Sequence, residues 1–236
     1  MVDHKLATAG VLQPLMVAAS GRQWRIHCAQ DDTALLAFAE GREPFPFGLL
    51  LWESAVALVD ALAETPGGTL TGARVLEIGC GVGLAGLAAA HHGGQVTMTD
   101  HDALALDTAK INAAANGIDG VTFIKANWSH WRTPSDMGAD DTVSSARYDL
   151  VIGADVIYEQ TVHDDVLGVI ATTLAPGGLA LLADPCRHHQ TEFIERARDK
   201  GFTVATTLRP VADLRRPGKT VDITLIFLRR TVRSGD

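Results

Sequence analysis

From Arg74 onward the chain alternates short apolar runs with stretches whose apolar positions recur every three or four residues. That is the pattern of strands followed by amphipathic helices. "RVLEIG" (74–79) predicts a buried strand and "LAGLAAAHHG" (84–93) a helix ended by glycine. "QVTMTD" (95–100) predicts the second strand, and "HDALALDTAKINAAANG" (101–117) the helix behind it. "VTFIKAN" (121–127) is the third strand, and "YDLVIGADVIY" (148–158) contains the fourth, after a polar loop at about 129–146. A helical stretch then runs to Leu174, "APGG" turns the chain, and "LALLAD" (179–184) is the fifth strand. "QTEFIERARDKG" (190–201) predicts one more helix, and "FTVATTL" and "VDITLIFLRR" the last two strands. Strands alternating with helices at this spacing make a parallel sheet covered on both faces. The final connector (209–219) is short, polar and without helical periodicity, so the last pair is expected to be antiparallel. The expected fold is α/β: a Rossmann-like, doubly wound, seven-stranded sheet, mostly parallel with an antiparallel C-terminal strand.

Ahead of Arg74 the pattern is thinner. "LLLWESAVALVDALAE" (49–64) predicts a helix, with Leu51, Ser54, Ala55, Leu58, Val59 and Leu62 on one face. "RQWRIHCA" (22–29) alternates Trp24, Ile26 and Cys28 as a strand does, and the prolines and glycines of "GREPFPFG" (41–48) interrupt regular structure. Residues 1–45 therefore read as an N-terminal extension of strand and loop, placed to serve as a substrate lid, and residues 46–232 as the ligand-binding domain.

Composition narrows the class. The chain has 236 residues, 47% of them hydrophobic, and a formal net charge of −8, which disfavours a nucleic-acid backbone as partner. Three distant cysteines, Cys28, Cys80 and Cys186, provide neither a disulfide framework nor a C-x-x-C metal pair. Without a signal-peptide pattern or an apolar run of ~18 residues, a cytoplasmic, non-membrane protein is expected.

The chemistry concentrates at "VLEIGCGVGLAG" (75–86), which admits two readings. Counted from Gly81 to Gly86 it is a dinucleotide-type G-x-G-x-x-G; counted from Glu77 it is an acid followed by G-x-G-x-G. In an open α/β sheet the ligand lies beyond the carboxyl ends of the strands, and glycines let it approach the main chain. The second reading places Glu77 near the strand's end, with Gly79, Gly81 and Gly83 in the turn and Gly86 inside the helix. Asp100, 19 positions beyond Gly81 at the end of the next strand, can accept from both hydroxyls of a ribose, unless it merely caps the following helix.

The ordered set "VLEIGCGVG", "TD", "ANW", "YDLVIGADVIYE" and "LAPGG" resembles the class I S-adenosylmethionine-dependent methyltransferases over residues 45–230. "LLLWESAVAL", "GADVIY" and "LLADPCRHHQTEF" resemble the group holding the seven-stranded protein-lysine methyltransferases and bacterial nicotinamide N-methyltransferase-like proteins. The resemblance implies an enzyme that uses S-adenosylmethionine and releases S-adenosylhomocysteine. By it, Glu77, Gly79, Gly81 and Gly83 hold the methionine part and Asp100 the ribose, while His101 packs on the adenine. Asn127 and Trp128 of "ANW" also reach the adenine, with Asn127 in place of the more common Asp. Trp52 and Ala154 lie near the cofactor, and Asp155 and Tyr158 orient the acceptor or take its proton. Asp184, Arg187 and His188 line the acceptor pocket, unless they only shape a solvated turn.

The acceptor implied is a protein lysine or a small nitrogen compound, methylated by in-line displacement that needs alignment rather than a metal. Two other classes compete: a non-catalytic S-adenosylmethionine-binding regulatory module, and an NAD-dependent oxidoreductase. Neither the oligomeric state nor the acceptor's identity is readable.

Overall fold

A computed structural model describes residues 10–30, 32–40, 45–64, 70–131 and 146–230. The first nine residues, the glycine-rich stretch 65–69 and most of the polar loop expected at about 129–146 lie outside the described residues.

The chain opens with a hairpin, β1 (Leu12–Ala19) and β2 (Arg22–Ala29), then α1 (Asp32–Ala39) and α2 (Glu53–Ala63). The alternating part follows as β3 (Arg74–Ile78), α3 (Leu84–His91), β4 (Gln95–Asp100), α4 (Ala103–Ala115) and β5 (Thr122–Lys125). It continues with β6 (Tyr148–Ala154), α5 (His163–Thr173), β7 (Leu174–Asp184), α6 (Gln190–Asp199), β8 (Phe202–Ala212) and β9 (Thr220–Arg230). The large sheet has seven strands in the order β5-β4-β3-β6-β7-β9-β8. β3 to β7 pair in parallel, while β9 runs antiparallel to both β7 and β8. Strand order reverses between β3 and β6, and the crevice that ligands occupy in such sheets opens there.

Alternation along the strands builds two cores. Val75, Leu150, Ile152, Leu181 and Leu225 point to the face covered by α2, α3 and α4. Leu76, Ile78, Val151, Leu182 and Ile226 point to the face covered by α5 and α6. Each such side chain contributes about 1.5–3 kcal/mol by leaving water. Helix α3 has almost no polar face, since Leu84 to Ala89 are all buried. Among the described residues, no helix is long and apolar enough to cross a membrane.

Three sequence expectations shift. Helix α2 starts at Glu53, not Leu49: residues 47–49 form a 3-10 turn, Leu50 bridges to Ala29, and Trp52 is extended. Leu49, Leu50 and Leu51 are all buried, packed where the turn and the bridge to Ala29 carry the chain under the hairpin instead of along a helix face. "APGG" lies inside β7, where pairing slips between Tyr148–Leu174 and Leu150–Leu179, so the chain bulges rather than turns. The hairpin partner β1 was not foreseen, because much of it faces solvent and gives no clean alternation.

The hairpin is fastened to α4 by two amides one helical turn apart. Asn112 Oδ1 accepts from His27 N at 2.7 Å and its Nδ2 donates to His27 O at 3.0 Å. Asn116 does the same with Arg25 N and O, at 3.0 and 2.9 Å. The fully buried Asn112 also donates to Val82 O at 2.9 Å, which links the hairpin to the glycine turn.

Candidate cofactor and acceptor site

A cavity of about 470 Å³ opens at the carboxyl ends of β3, β4 and β6. Its floor is the glycine turn. Gly79, Gly81 and Gly83 have φ of 62°, 51° and 90°, a left-handed region that side-chain-bearing residues enter at a cost. The turn is crowded as well: a Cβ on Gly79 would stand 2.9 Å from the Trp128 ring. Gly83 faces away from the cavity and caps α3, packed on Met98 and Ala109. Gly86 lies within α3, where a Cβ would fall 2.3 Å from Glu77 Oε2. The close approach lets Gly86 N donate to that carboxyl at 3.1 Å.

Glu77 is buried below the turn. Burial pushes its carboxyl up to about 8, opposed by the Gly86 hydrogen bond and reinforced by the charge of Asp100. Asp100 is also buried, and burial raises it, while hydrogen bonds from Asp102 N and Gly81 N draw it back. Oδ2 takes the Gly81 N–H and Oδ1 the Asp102 N–H, each at 2.9 Å. Asp102, not Asp100, caps α4, accepting from Leu104 N at 2.9 Å. A carboxylate has about four lone-pair sites, so Asp100 keeps acceptor capacity on the cavity side for a diol.

These groups fit S-adenosylmethionine. Asp100 would hold the ribose, Glu77 would face the cationic methionine end, and the side-chain-free turn gives the main-chain approach. Of the other residues expected near the cofactor, Trp52, His101, Trp128 and Ala154 line the cavity. His101 is half exposed, with Nδ1 at 3.4 Å from Asp100 Oδ1. Asn127 is not on the wall: its Oδ1 accepts from Ser129 N and Oγ at 3.1 and 3.0 Å, capping the turn at 128–130. The cap engages the oxygen that was expected to accept from the adenine amino group.

At the acceptor end, Asp155, Tyr158 and Arg187 line the cavity. Asp155 takes φ of 62° just after β6, and its N–H donates to Ala183 O at 2.8 Å. Arg187 pairs with the Asp155 carboxylate and, at 2.9 Å, with Asp184 Oδ2. Asp184 is completely buried, so it backs the site instead of lining it. His188 is also off the wall, its ring 3.5 Å from that of His189. Burial raises the Asp155 carboxyl while Arg187 pulls it down. The Tyr158 phenol is raised by partial burial and by the charges of Glu159, Asp100 and Asp155.

Sequence reasoning missed the roof. Phe45, Pro46, Phe47 and Gly48 cross the cavity, and a Cβ on Gly81 would meet Gly48 O at 3.1 Å. The signal was a glycine after two Pro-Phe steps, which read only as an interruption. Arg215 was missed too: from the β8–β9 connector its guanidinium lies 5.2 Å from the Trp52 ring centre and 3.6 Å from Glu53 Oε1.

Known proteins resemble this chain in sequence. The mouse protein EEF1A lysine methyltransferase 3 is 31% identical over 156 residues, covering 64% of this chain and 62% of that protein. Protein N-lysine methyltransferase METTL21A of Xenopus tropicalis is 29% identical over 161 residues, covering 66% and 69%. The rat histone-arginine methyltransferase METTL23 is 31% identical over 126 residues, or 52% of each chain. The chain thus spans roughly half to two thirds of the length of these relatives.

Among solved structures, the Thermus thermophilus 16S rRNA N2 G1207 methyltransferase shares the fold with a TM-score of 0.60 at 17% identity, over 93% of this chain and 51% of that one. Magnesium protoporphyrin IX methyltransferase of Synechocystis does so with a TM-score of 0.57 at 18% identity, over 85% and 98%. The family model described as lysine methyltransferase matches residues 30–200, from the end of the hairpin through α6. With that match, the chain belongs to the lysine methyltransferase family, within the S-adenosylmethionine-dependent methyltransferases built on a seven-stranded sheet.

Proposed function

We propose that this protein methylates a nitrogen of a protein substrate, with a lysine side chain as the acceptor. The observation that carries the reading is the anionic acceptor end, where Asp155 and the buried Asp184 outnumber the single guanidinium of Arg187 between them. A site with excess negative charge selects a cationic side chain over an anionic or neutral one. The names of the relatives, which include lysine and arginine methyltransferases, agree with a basic protein side chain.

When bound, S-adenosylmethionine supplies a methyl group on a sulfonium, a leaving group that needs no further activation. The chain's part is to align donor and acceptor nitrogen and to exclude competing water from the line of attack. Glu77, the glycine turn and Asp100 fix the donor side, while Asp155 orients the acceptor from the opposite wall. An ammonium must lose a proton before its nitrogen can attack. Tyr158, with its phenol raised, keeps its own proton and serves as a hydrogen-bond partner. Its partial exposure at the rim gives the departing proton a route to solvent water.

The test is incubation of the protein with methyl-labelled S-adenosylmethionine and a cell extract. Label is expected in the protein fraction, on lysine after hydrolysis. Label confined to small molecules would replace the acceptor class. Binding of S-adenosylhomocysteine with no label transferred to any fraction would favour the regulatory module instead.

A further inference from the structure

Asp155 and Cys186 are the two described non-glycine residues outside the hairpin turn with left-handed backbones, at φ of 62° and 57°. They flank the ends of neighbouring strands, since β6 and β7 pair in parallel with Ala154 opposite Ala183. Arg187, next to Cys186 in the chain, links Asp155 to Asp184. Its N–H donates to Asp184 Oδ1 at 3.1 Å, and its guanidinium donates to Asp184 Oδ2 at 2.9 Å while pairing with Asp155 Oδ1. The Asp184 side chain is completely buried and that of Asp155 8% exposed, whereas Arg187 reaches the cavity at 29%. A buried carboxylate gripping both main chain and side chain of one arginine leaves the guanidinium few other positions.

We propose that Arg187 is a positioning residue for methyl transfer: braced on Asp184, its guanidinium fixes the Asp155 carboxylate as the stationary anion against which the acceptor nitrogen is seated. This assignment rests on the methyltransferase reading above and makes Asp155 an orienting group, not a proton acceptor. The guanidinium takes one carboxylate oxygen of Asp155, and the second can still receive an ammonium N–H. The charged and titratable groups bearing on Asp155 are Asp184 at the end of β7, Arg187 just after it and Glu53 at the start of α2, with Tyr158 on its own loop.

The test is a carboxyl ¹³C NMR titration of the full-length protein without cofactor, with the Asp155 signal assigned by its loss in Asp155→Asn. In Arg187→Met the Asp155 midpoint is expected to rise by roughly 1–3 pH units, the scale of losing an adjacent opposite charge. Arg187→Lys should give a smaller rise, because charge is kept but the two-sided brace is lost. If Arg187→Met does not fold, Arg187→Lys carries the same comparison. A midpoint unchanged in these variants overturns the proposal. Calorimetry with S-adenosylhomocysteine separates the two layers of the argument. Affinity within about twofold of wild type is expected for the Arg187 variants, since the brace serves the acceptor wall. A large loss would assign Arg187 to the cofactor and overturn the proposal. Failure of the wild-type protein itself to bind would instead remove the methyltransferase reading and leave the titration interpretable.

Discussion

Gly48 and Gly81 meet at the wall of the cavity without room for a side chain: a Cβ on Gly81 would stand 3.1 Å from Gly48 O, and a Cβ on Gly48 3.6 Å from Gly81 Cα. One glycine belongs to the roof and the other to the cofactor turn, so their contact sets the height of the slot. Gly81→Ala meets a left-handed backbone as well as the Gly48 carbonyl, a combined cost of about 1–2 kcal/mol or more. S-adenosylhomocysteine affinity by calorimetry should fall roughly tenfold or more. Gly48→Ala, whose Cβ would come 3.0 Å from that of Ala105, should cause a smaller loss. Equal affinities in both variants and wild type would show that the roof does not close on the ligand.

Asp100→Ala should weaken S-adenosylhomocysteine binding by roughly 1–3 kcal/mol, the scale for losing charge-assisted hydrogen bonds. The same change frees Gly81 N and Asp102 N from their acceptor, so the thermal midpoint should fall too. Comparing the ligand-induced rise in that midpoint between variant and wild type separates the two effects. An undiminished rise would confine Asp100 to holding the turn.

Glu77 makes the ligand-free protein sensitive to alkali. Its folded carboxyl is raised from 4.5 to about 8, so the fold favours the protonated acid. That contribution is fully present below the unfolded value of 4.5 and is lost as pH rises through about 8. The swing is on the order of 3–5 kcal/mol. Denaturant midpoints from acid to mildly alkaline pH should therefore decline in wild type and stay flatter in Glu77→Gln. A parallel decline in both proteins would mean that other groups carry the pH dependence; Asp100 and Asp155, raised by burial, act in the same direction.

Asn112→Ala should destabilise the protein by about 2–4 kcal/mol, because it removes several hydrogen bonds and leaves the Val82 carbonyl without that donor. Asn116→Ala, whose bonds to Arg25 are solvent-exposed, should cost about 1 kcal/mol. Hydrogen exchange provides the local readout: protection at His27 should drop in the first variant and at Arg25 in the second.

The sheet and its antiparallel end were legible because buried strands leave continuous apolar runs and because a short polar connector cannot make a parallel crossover. β3, β6 and β9 each bury both faces, so their sequences carry the signal twice. β1 buries little and left none. In the site, positions whose chemistry is tied to a strand end could be read: Glu77 and Asp100 at the ends of β3 and β4, and Asp155 after β6. Asn127 and Asp184 show the limit of that method. Both lie at or just past a strand's end as expected, yet one turns into a cap and the other beneath its neighbour, and side-chain direction leaves no trace in spacing. The roof at Phe45–Gly48 was opaque for a related reason, since its position depends on Leu50 meeting Ala29, a contact between segments that share no periodicity.

The two amides on α4 have one more consequence. Arg25 and His27 are alternate residues of β2, and each has its outward N–H and C=O taken up by one asparagine side chain. Helix α4 thus occupies the place of a third strand, satisfying an edge that would otherwise accept a foreign segment. The small sheet ends at a helix rather than at solvent, and along this side a second molecule finds no row of free main-chain groups on which to polymerise.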